Sequence, residues 1–295
     1  MASLKALKVR IASVKSTQKI TRALKMVAAS KLRRAQEAAE AARPYSERMA
    51  HVMASLGSRV TVGPESPRLL AGTGADQTYL LLVVTSERGL AGGFNTNIVR
   101  LARRRAEELQ REGKTVKLLM AGKKGRAAFL RTHRSQIIDT LELTHGKPLK
   151  FTEAQVIGDE VIRRFEAGEF DVAEMFFSKF RSALVQEPMA VRLIPAALPS
   201  AADAAPSDGA DATIEYEPDE ETILADLLPR NIAVQVFRAM LENQASFFGA
   251  QMNAMENSTN NAGDIIKRLT VTYNRTRQAA ITKELIEIIS GAEAI

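Results

Sequence analysis

The stretch best placed to do chemistry is "TSERGLAGGFNTN" (85–97), a glycine-rich turn between an apolar strand pattern and a helix pattern. Such a turn can aim backbone N–H groups at a phosphate. The spacing of Gly89, Gly92 and Gly93 does not make a dinucleotide fingerprint, and no Lys-Ser or Lys-Thr follows as a P-loop requires. Tight backbone packing is the better reading, and the basic turn "AGKKGRAAF" (121–129) reads the same way. His51, His133 and His145 are scattered, with no second His or carboxylate at metal-ligand spacing. The acidic pairs Glu107/Glu108 and Glu220/Glu221 are sequence neighbours, which point apart on a helix and make no acid/base couple. No G-x-S-x-G or H-E-x-x-H occurs, and the absence of cysteine excludes disulfides, thiolate metal sites and thiol nucleophiles. The expectation is therefore no catalytic residue, no cofactor and no metal.

The charge is more informative. Residues 1–36 carry ten Lys or Arg and no acid, whereas 203–226 carry nine acids and no base, so the net charge of +7 conceals a strong asymmetry. With 45% hydrophobic residues, 5% aromatics and no Trp, the composition belongs to a helix-rich globular chain. No apolar run approaches the ~18 residues of a membrane span. An acid-free amphipathic start also fits an organelle transit peptide, nucleic-acid binding or a cationic collar against an acidic protein.

The elements that would position these charges follow from periodicity. Leu4, Leu7, Ile11 and Val14 fall at the 3,4 spacing of a coiled-coil seam. Beyond polar Gln18 and Thr21 the seam resumes at Leu24, Ala28 and Leu32 with two steps of four, which predicts a slipped repeat. Residues 1–57 thus read as one long helix, and 58–77, rich in Gly and Pro, as a linker. From 78 to 195, strand patterns ("TYLLLVVTS", "TVKLLMAG", "SQIID", "FDVAEMFFSKF", "EPMAVRLIP") alternate with helix patterns, predicting an inserted, Rossmann-like α/β domain with a largely parallel sheet. An acidic Ala/Pro loop spans 196–222, and a second long helix runs from 223 to 295. The fold class expected is a mixed α+β chain: a long antiparallel coiled coil of terminal helices carrying an α/β domain. The Asn/Ser-rich "NAMENSTNNAGDI" predicts that part of the last helix meets water or a polar surface.

Three separated blocks resemble one family, the γ subunit of F-type ATP synthases, which is the central rotor shaft. They are "QKITRALKMVAASKLRRAQ" (18–36), "TSERGLAGGFN" (85–95) and "TRQAAITKELIEIISGAEAI" (276–295), in family order over the whole chain. Ala91 stands where the family often has Cys, Glu87 where it has Asp and Leu24 where Met is common; the lack of cysteine argues against the redox-switched plastid form. The family helix begins within the first few residues, which removes the transit-peptide reading.

The resemblance implies a non-catalytic rotor that couples proton flow through a membrane c ring to conformational cycling of sites in an α/β ring. It implies the partners α, β and ε, δ indirectly, the c ring and, as an optional partner, a separate inhibitor protein. It implies a peripheral position on the cytoplasmic face of a bacterial inner membrane. Carried over residue by residue, Arg277, Gln278 and Thr282 would engage the ring's catch loops, and Lys25, Lys31, Arg33 and Arg34 would face acidic loops of β. The α/β domain with Gly89, Gly92 and Gly93, together with Tyr216, Glu217 and Pro218, would form the foot. The alternative is a basic coiled-coil protein that binds nucleic acid.

Overall fold

The computed structural model describes residues 3–59, 66–143, 148–196 and 220–293. Two helices dominate it: α1 (Leu4–Arg59) and α6 (Glu220–Glu293), 56 and 74 residues long. At ~1.5 Å per residue these are roughly 84 and 110 Å rods. The Ser3 hydroxyl caps the start of α1 by accepting from the Ala6 N–H at 3.2 Å. The two helices pack antiparallel: Lys25 meets Glu256, Thr21 meets Thr259, and Lys31 lies against Phe248.

Between them lies a five-stranded sheet of order β3-β2-β1-β4-β5, formed by β1 (Thr78–Val84), β2 (Thr115–Ala121), β3 (Ile137–Leu141), β4 (Val172–Phe180) and β5 (Gln186–Ile194). The first four strands are parallel and β5 closes an edge antiparallel to β4. Strand side chains alternate between two faces, and both faces are covered. Leu80, Leu82, Val84 and Leu119 enter one core with α5 (Phe151–Glu166) and the first part of α6. Leu81, Val83, Leu118 and Met120 enter the other with α3 (Phe94–Arg111) and Phe129 of α4 (Lys123–Phe129). This double burial explains why β1 reads as a continuous apolar run. Gly158 lets α5 close on α6, since a Cβ there would lie 3.3 Å from Ala233 Cα.

Two expectations need amendment. The stretch 58–77 is not all linker: α1 continues to Arg59, and a short helix α2 (Arg68–Ala71) buries Leu69 and Leu70 in the domain core. The seam of α1 also reads as a continuous alternation: burial recurs at Gln18, Thr21, Lys25, Ala28, Leu32 and Ala35 at 3,4 spacing, with the expected Leu24 half-buried beside Lys25. Lys25 occupies a half-buried seam position that a search for apolar residues passes over, and its ammonium pairs with Glu256. Of the acidic loop expected over 196–222, Ala196 is buried in the core and α6 already begins at Glu220, while 197–219 lie outside the described residues.

Candidate functional site

Register sets what the shaft exposes. With Thr21 opposite Thr259 and α1 starting at Leu4, α6 outruns its partner from about residue 276. Every residue from Ile281 to Ser290 is exposed, including Ile281, Leu285, Ile286, Ile288 and Ile289. A helix end this apolar and this bare is unusual on a soluble surface. Arg277, Gln278 and Thr282 stand exposed at its base.

The four collar cations differ in environment. Lys25 Nζ lies 2.6 Å from Glu256 Oε1, and Lys31 Nζ sits 5.5 Å from the Phe248 ring centroid. Arg33 pairs with Glu37 one turn away at 3.0 Å. Arg34 is exposed and makes no ion pair among the described residues. Two of the four are thus engaged across the shaft itself, and Arg34 is the one presented most freely to a partner.

The domain grips the shaft at the C-terminal ends of its parallel strands. The β1–β4 ladder ends at Val83 and Phe176, which leaves Ser178 without a strand on that side. Side chains of α6 take its place: the Ser178 N–H donates to Asn243 Oδ1 at 3.1 Å, and Ser246 Oγ donates to the Ser178 carbonyl at 3.1 Å. Both groups are buried, so each bond satisfies an otherwise costly orphan. One turn on, Gly249 admits the β4–β5 hairpin; a Cβ there would lie 3.3 Å from the Ala183 carbonyl oxygen. Asn253 Nδ2 then donates to that same oxygen at 2.5 Å. Phe94 meets Phe247 edge-on at 5.7 Å, packing the start of α3 on the same stretch.

Sequence reasoning reaches only Asn253 among these, within the Asn/Ser-rich stretch, and does not single out Asn243, Ser246 or Gly249. Their signal is a stripe at 3,4,3 spacing, Asn243, Ser246, Ala250 and Asn253, which resembles an ordinary helix face until a strand end is placed against it.

The glycine loop belongs to this junction. Gly92 has φ +55 and faces Ala254, and Gly93 precedes α3 at its N-cap position. Leu90 lies exposed with φ +65, a conformation that is sparsely populated outside glycine. The loop's polar groups are used locally: the Ser86 N–H donates to Asn95 Oδ1 at 3.0 Å and Ser86 Oγ to the Arg88 carbonyl. In "AGKKGRAAF" the Gly125 N–H donates to the Thr85 hydroxyl at 2.9 Å. Gly122 has φ +110, and a Cβ there would sit 2.6 Å from the Thr85 carbonyl oxygen. Close approach to Thr85 therefore explains Gly122 and Gly125, and a positive φ explains Gly92. Beside the loop, a cleft of about 530 Å³ opens among Asn97, Gln186, Asn253, Asn257 and Asn260. Much of the Asn-rich stretch of α6 accordingly faces this polar cleft and solvent.

The glycine loop lies far from the start of α6. Leu224 and Leu228 pack with Leu193 and Ile194 at the opposite, N-terminal edge of the sheet. Gly89, Gly92 and Gly93 consequently are not gathered with that end, and Tyr216, Glu217 and Pro218 lie outside the described residues.

Titratable groups elsewhere serve structure. Burial, helped by Arg103, holds His133 below its usual range. Burial of Asp171 is outweighed by hydrogen bonds from the Thr78 N–H, the Thr73 hydroxyl and the Gln77 N–H, and its carboxyl is lowered. Those bonds pin the segment entering β1 to the segment entering β4. No group of His, Asp and Glu able to hold a metal occurs among the described residues.

Comparison with known proteins accounts for this architecture. The family model described as ATP synthase matches residues 3–295. The ATP synthase gamma chain of Rhizorhabdus wittichii is 63% identical over 295 residues, and that of Parvibaculum lavamentivorans 60% over 296, each covering 100% of both chains. Among solved structures, a chain of the Euglena gracilis mitochondrial ATP synthase (OSCP/F1/c-ring) matches with TM-score 0.65 and 20% identity, over 99% of this chain and 94% of that one. A chain of the Tetrahymena thermophila mitochondrial central stalk/c-ring matches with TM-score 0.59 and 24% identity, over 81% of this chain and 98% of that one. The structural matches show a shared fold, and the full-length identities show that the chain belongs to the ATP synthase gamma chain family.

Proposed function

We propose that the chain is the central-stalk rotor of an F-type ATP synthase. Its two-helix shaft turns inside a ring of alternating α and β subunits, and its foot is carried by a membrane c ring. Proton flow through the c ring turns the shaft, and the shaft's asymmetry drives the ring's catalytic sites through their conformations in sequence; ATP hydrolysis reverses the motion. The chain does no chemistry of its own.

The observation that carries this reading is the uncovered end of α6, with its exposed isoleucines and leucine beyond the reach of α1. Such a surface calls for a surrounding apolar partner. No helix among the described residues is long and apolar enough to cross a membrane, which agrees with a peripheral role, placed on the cytoplasmic face of a bacterial inner membrane. Arg277, Gln278 and Thr282, at the base of the bare end, are assigned to the ring's catch loops. Arg34 is assigned to an acidic loop of β, with Lys31 and Arg33 as weaker contributors. Tyr216, Glu217 and Pro218 are assigned to the foot with ε and the c ring. The nucleic-acid alternative has no support in the family or in the shaft's packing.

Native mass spectrometry of the chain co-expressed with α and β subunits from the same source tests the reading. A complex of three α, three β and one copy of the chain, active in ATP hydrolysis, is expected. A free chain beside an empty ring would overturn it.

A further inference from the structure

Where the shaft leaves the domain, three consecutive seam positions of α1 are polar: Gln18, Thr21 and Lys25. Each meets a polar group of α6. Lys25 Nζ is 2.6 Å from Glu256 Oε1, Thr21 Oγ1 is 2.7 Å from Thr259 Oγ1, and Gln18 Nε2 donates to the Thr259 carbonyl at 3.4 Å. The seam is shaped to admit them. A Cβ on Gly263 would lie 3.1 Å from Gln18 Nε2, so the glycine makes room for the amide.

The two sides of this layer are held differently. Toward the domain, α1 and α6 share a core with the sheet through Leu32, Ala35, Ala245 and Phe248. Toward the tip, among the described residues, the helices have only each other, through half-buried aliphatic positions such as Val14, Ile11, Ile266 and Leu269. Aliphatic seams tolerate more than one axial and rotational setting, whereas a polar group at a seam position selects one.

We propose that Lys25, Thr21, Glu256 and Thr259 form a polar clasp that fixes the setting of the distal shaft relative to the domain. Lys25 and Glu256 are then positioning residues of the rotor. In its consequence for coupling, the proposal rests on the rotor reading above. The pair is about as exposed as a surface ion pair, with side-chain exposures of 37% and 45%, so its direct contribution to stability is small. Its effect lies in excluding other arrangements, since any shift of register or rotation separates Lys25 from Glu256 and Thr21 from Thr259 together.

A charge swap separates this role from contact with the ring. If Lys25 served an acidic loop of β, reversing its charge would be harmful whatever stood at 256. If it serves Glu256, the reversal is corrected by the reciprocal change. The variants are Lys25→Glu, Glu256→Lys and the double swap, each assembled with α, β and the membrane sector. The readout is the ratio of ATP-driven proton pumping to ATP hydrolysis. Each single variant is expected to lower the ratio by about threefold, and the double swap to restore most of it. A swap no better than the single variants, or single variants that leave the ratio unchanged, would overturn the clasp.

A second readout does not depend on function. The chain has no cysteine, so an Ile11→Cys/Leu269→Cys pair, opposite by the same register, reports the distal setting through disulfide formation within the chain. The single charge variants are expected to slow its formation by about threefold and the swap to recover it. Equal rates in all variants would overturn the clasp even if assembly failed, whereas failed assembly with the expected rates would overturn the rotor reading alone.

Discussion

Arg105 on α3 forks onto Glu174 of β4, with Nη2 2.9 Å from Oε1 and Nε 3.0 Å from Oε2. Glu174 is buried, so its charge depends on this partner. Removing one member of a buried pair strands the other. Arg105→Met is therefore expected to cost about 3 kcal/mol, most of it recovered by adding Glu174→Leu, as read by urea unfolding. A loss that the double variant does not relieve would place the energy elsewhere.

Glu160 on α5 supplies a pH dependence. The hydrogen bond from Arg163, with Arg164 behind it and burial opposing, lowers its pKa from 4.5 to about 2. The folded carboxylate holds its proton less tightly than the unfolded one, so its contribution is complete above pH 4.5 and is lost as pH falls toward about 2. Glu160→Gln is expected to lower the melting temperature at neutral pH and to flatten the loss on acidification. An unchanged acid limb in thermal melts would contradict it.

At the scale of elements, α6 acts as both shaft helix and surrogate strand. The contact needs the Ser246 hydroxyl as a donor and Gly249 to be small, since the Ala183 carbonyl oxygen lies 3.3 Å from where a Gly249 Cβ would be. Gly249→Ile is expected to push the hairpin away without unfolding α6, at a cost of about 2–3 kcal/mol from overpacking. Limited proteolysis should then cut at residues 181–185 with helical circular dichroism preserved; protection equal to the parent would show that the hairpin is held by other contacts. Sequence periodicity made α6 legible as a helix and β4 and β5 as strands. It was silent on Asn243 and Ser246, because their role depends on β1 ending short of Ser178, a tertiary fact.

At the scale of the whole molecule, the bare end of α6 separates folding from function. Residues 281–290 are exposed throughout, so deletion of 282–295 is expected to leave the melting temperature within about 2 °C of the parent. The same deletion should weaken assembly with the α/β ring, read by native mass spectrometry. A large drop in melting temperature would mean that the tip folds back on the chain. Torque travels through packing, which makes seam positions matter more than exposed charges. Ile11→Gly combines helix and packing losses of about 2–3 kcal/mol, whereas Lys31→Ala gives up a cation–π contact of about 1 kcal/mol with Phe248. ATP-driven proton pumping is expected to fall further for Ile11→Gly, and equal losses would sink the stiffness argument.

The sequence by itself determined the two long helices, the inserted α/β domain and the family. Those features rest on local periodicity and on three blocks of residues, and both can be read along a single chain. Only the tertiary structure decided that Lys25 belongs to the seam. A cation becomes a seam residue when an anion such as Glu256 is brought opposite it from more than two hundred residues away. Only the tertiary structure decided that the glycine loop sits at the grip on the shaft, away from the start of α6, because parallel strands send their C-terminal ends to one edge of the sheet. The unpaired tip of α6 was decided the same way: its exposure follows from the register of two helices, which neither helix specifies alone.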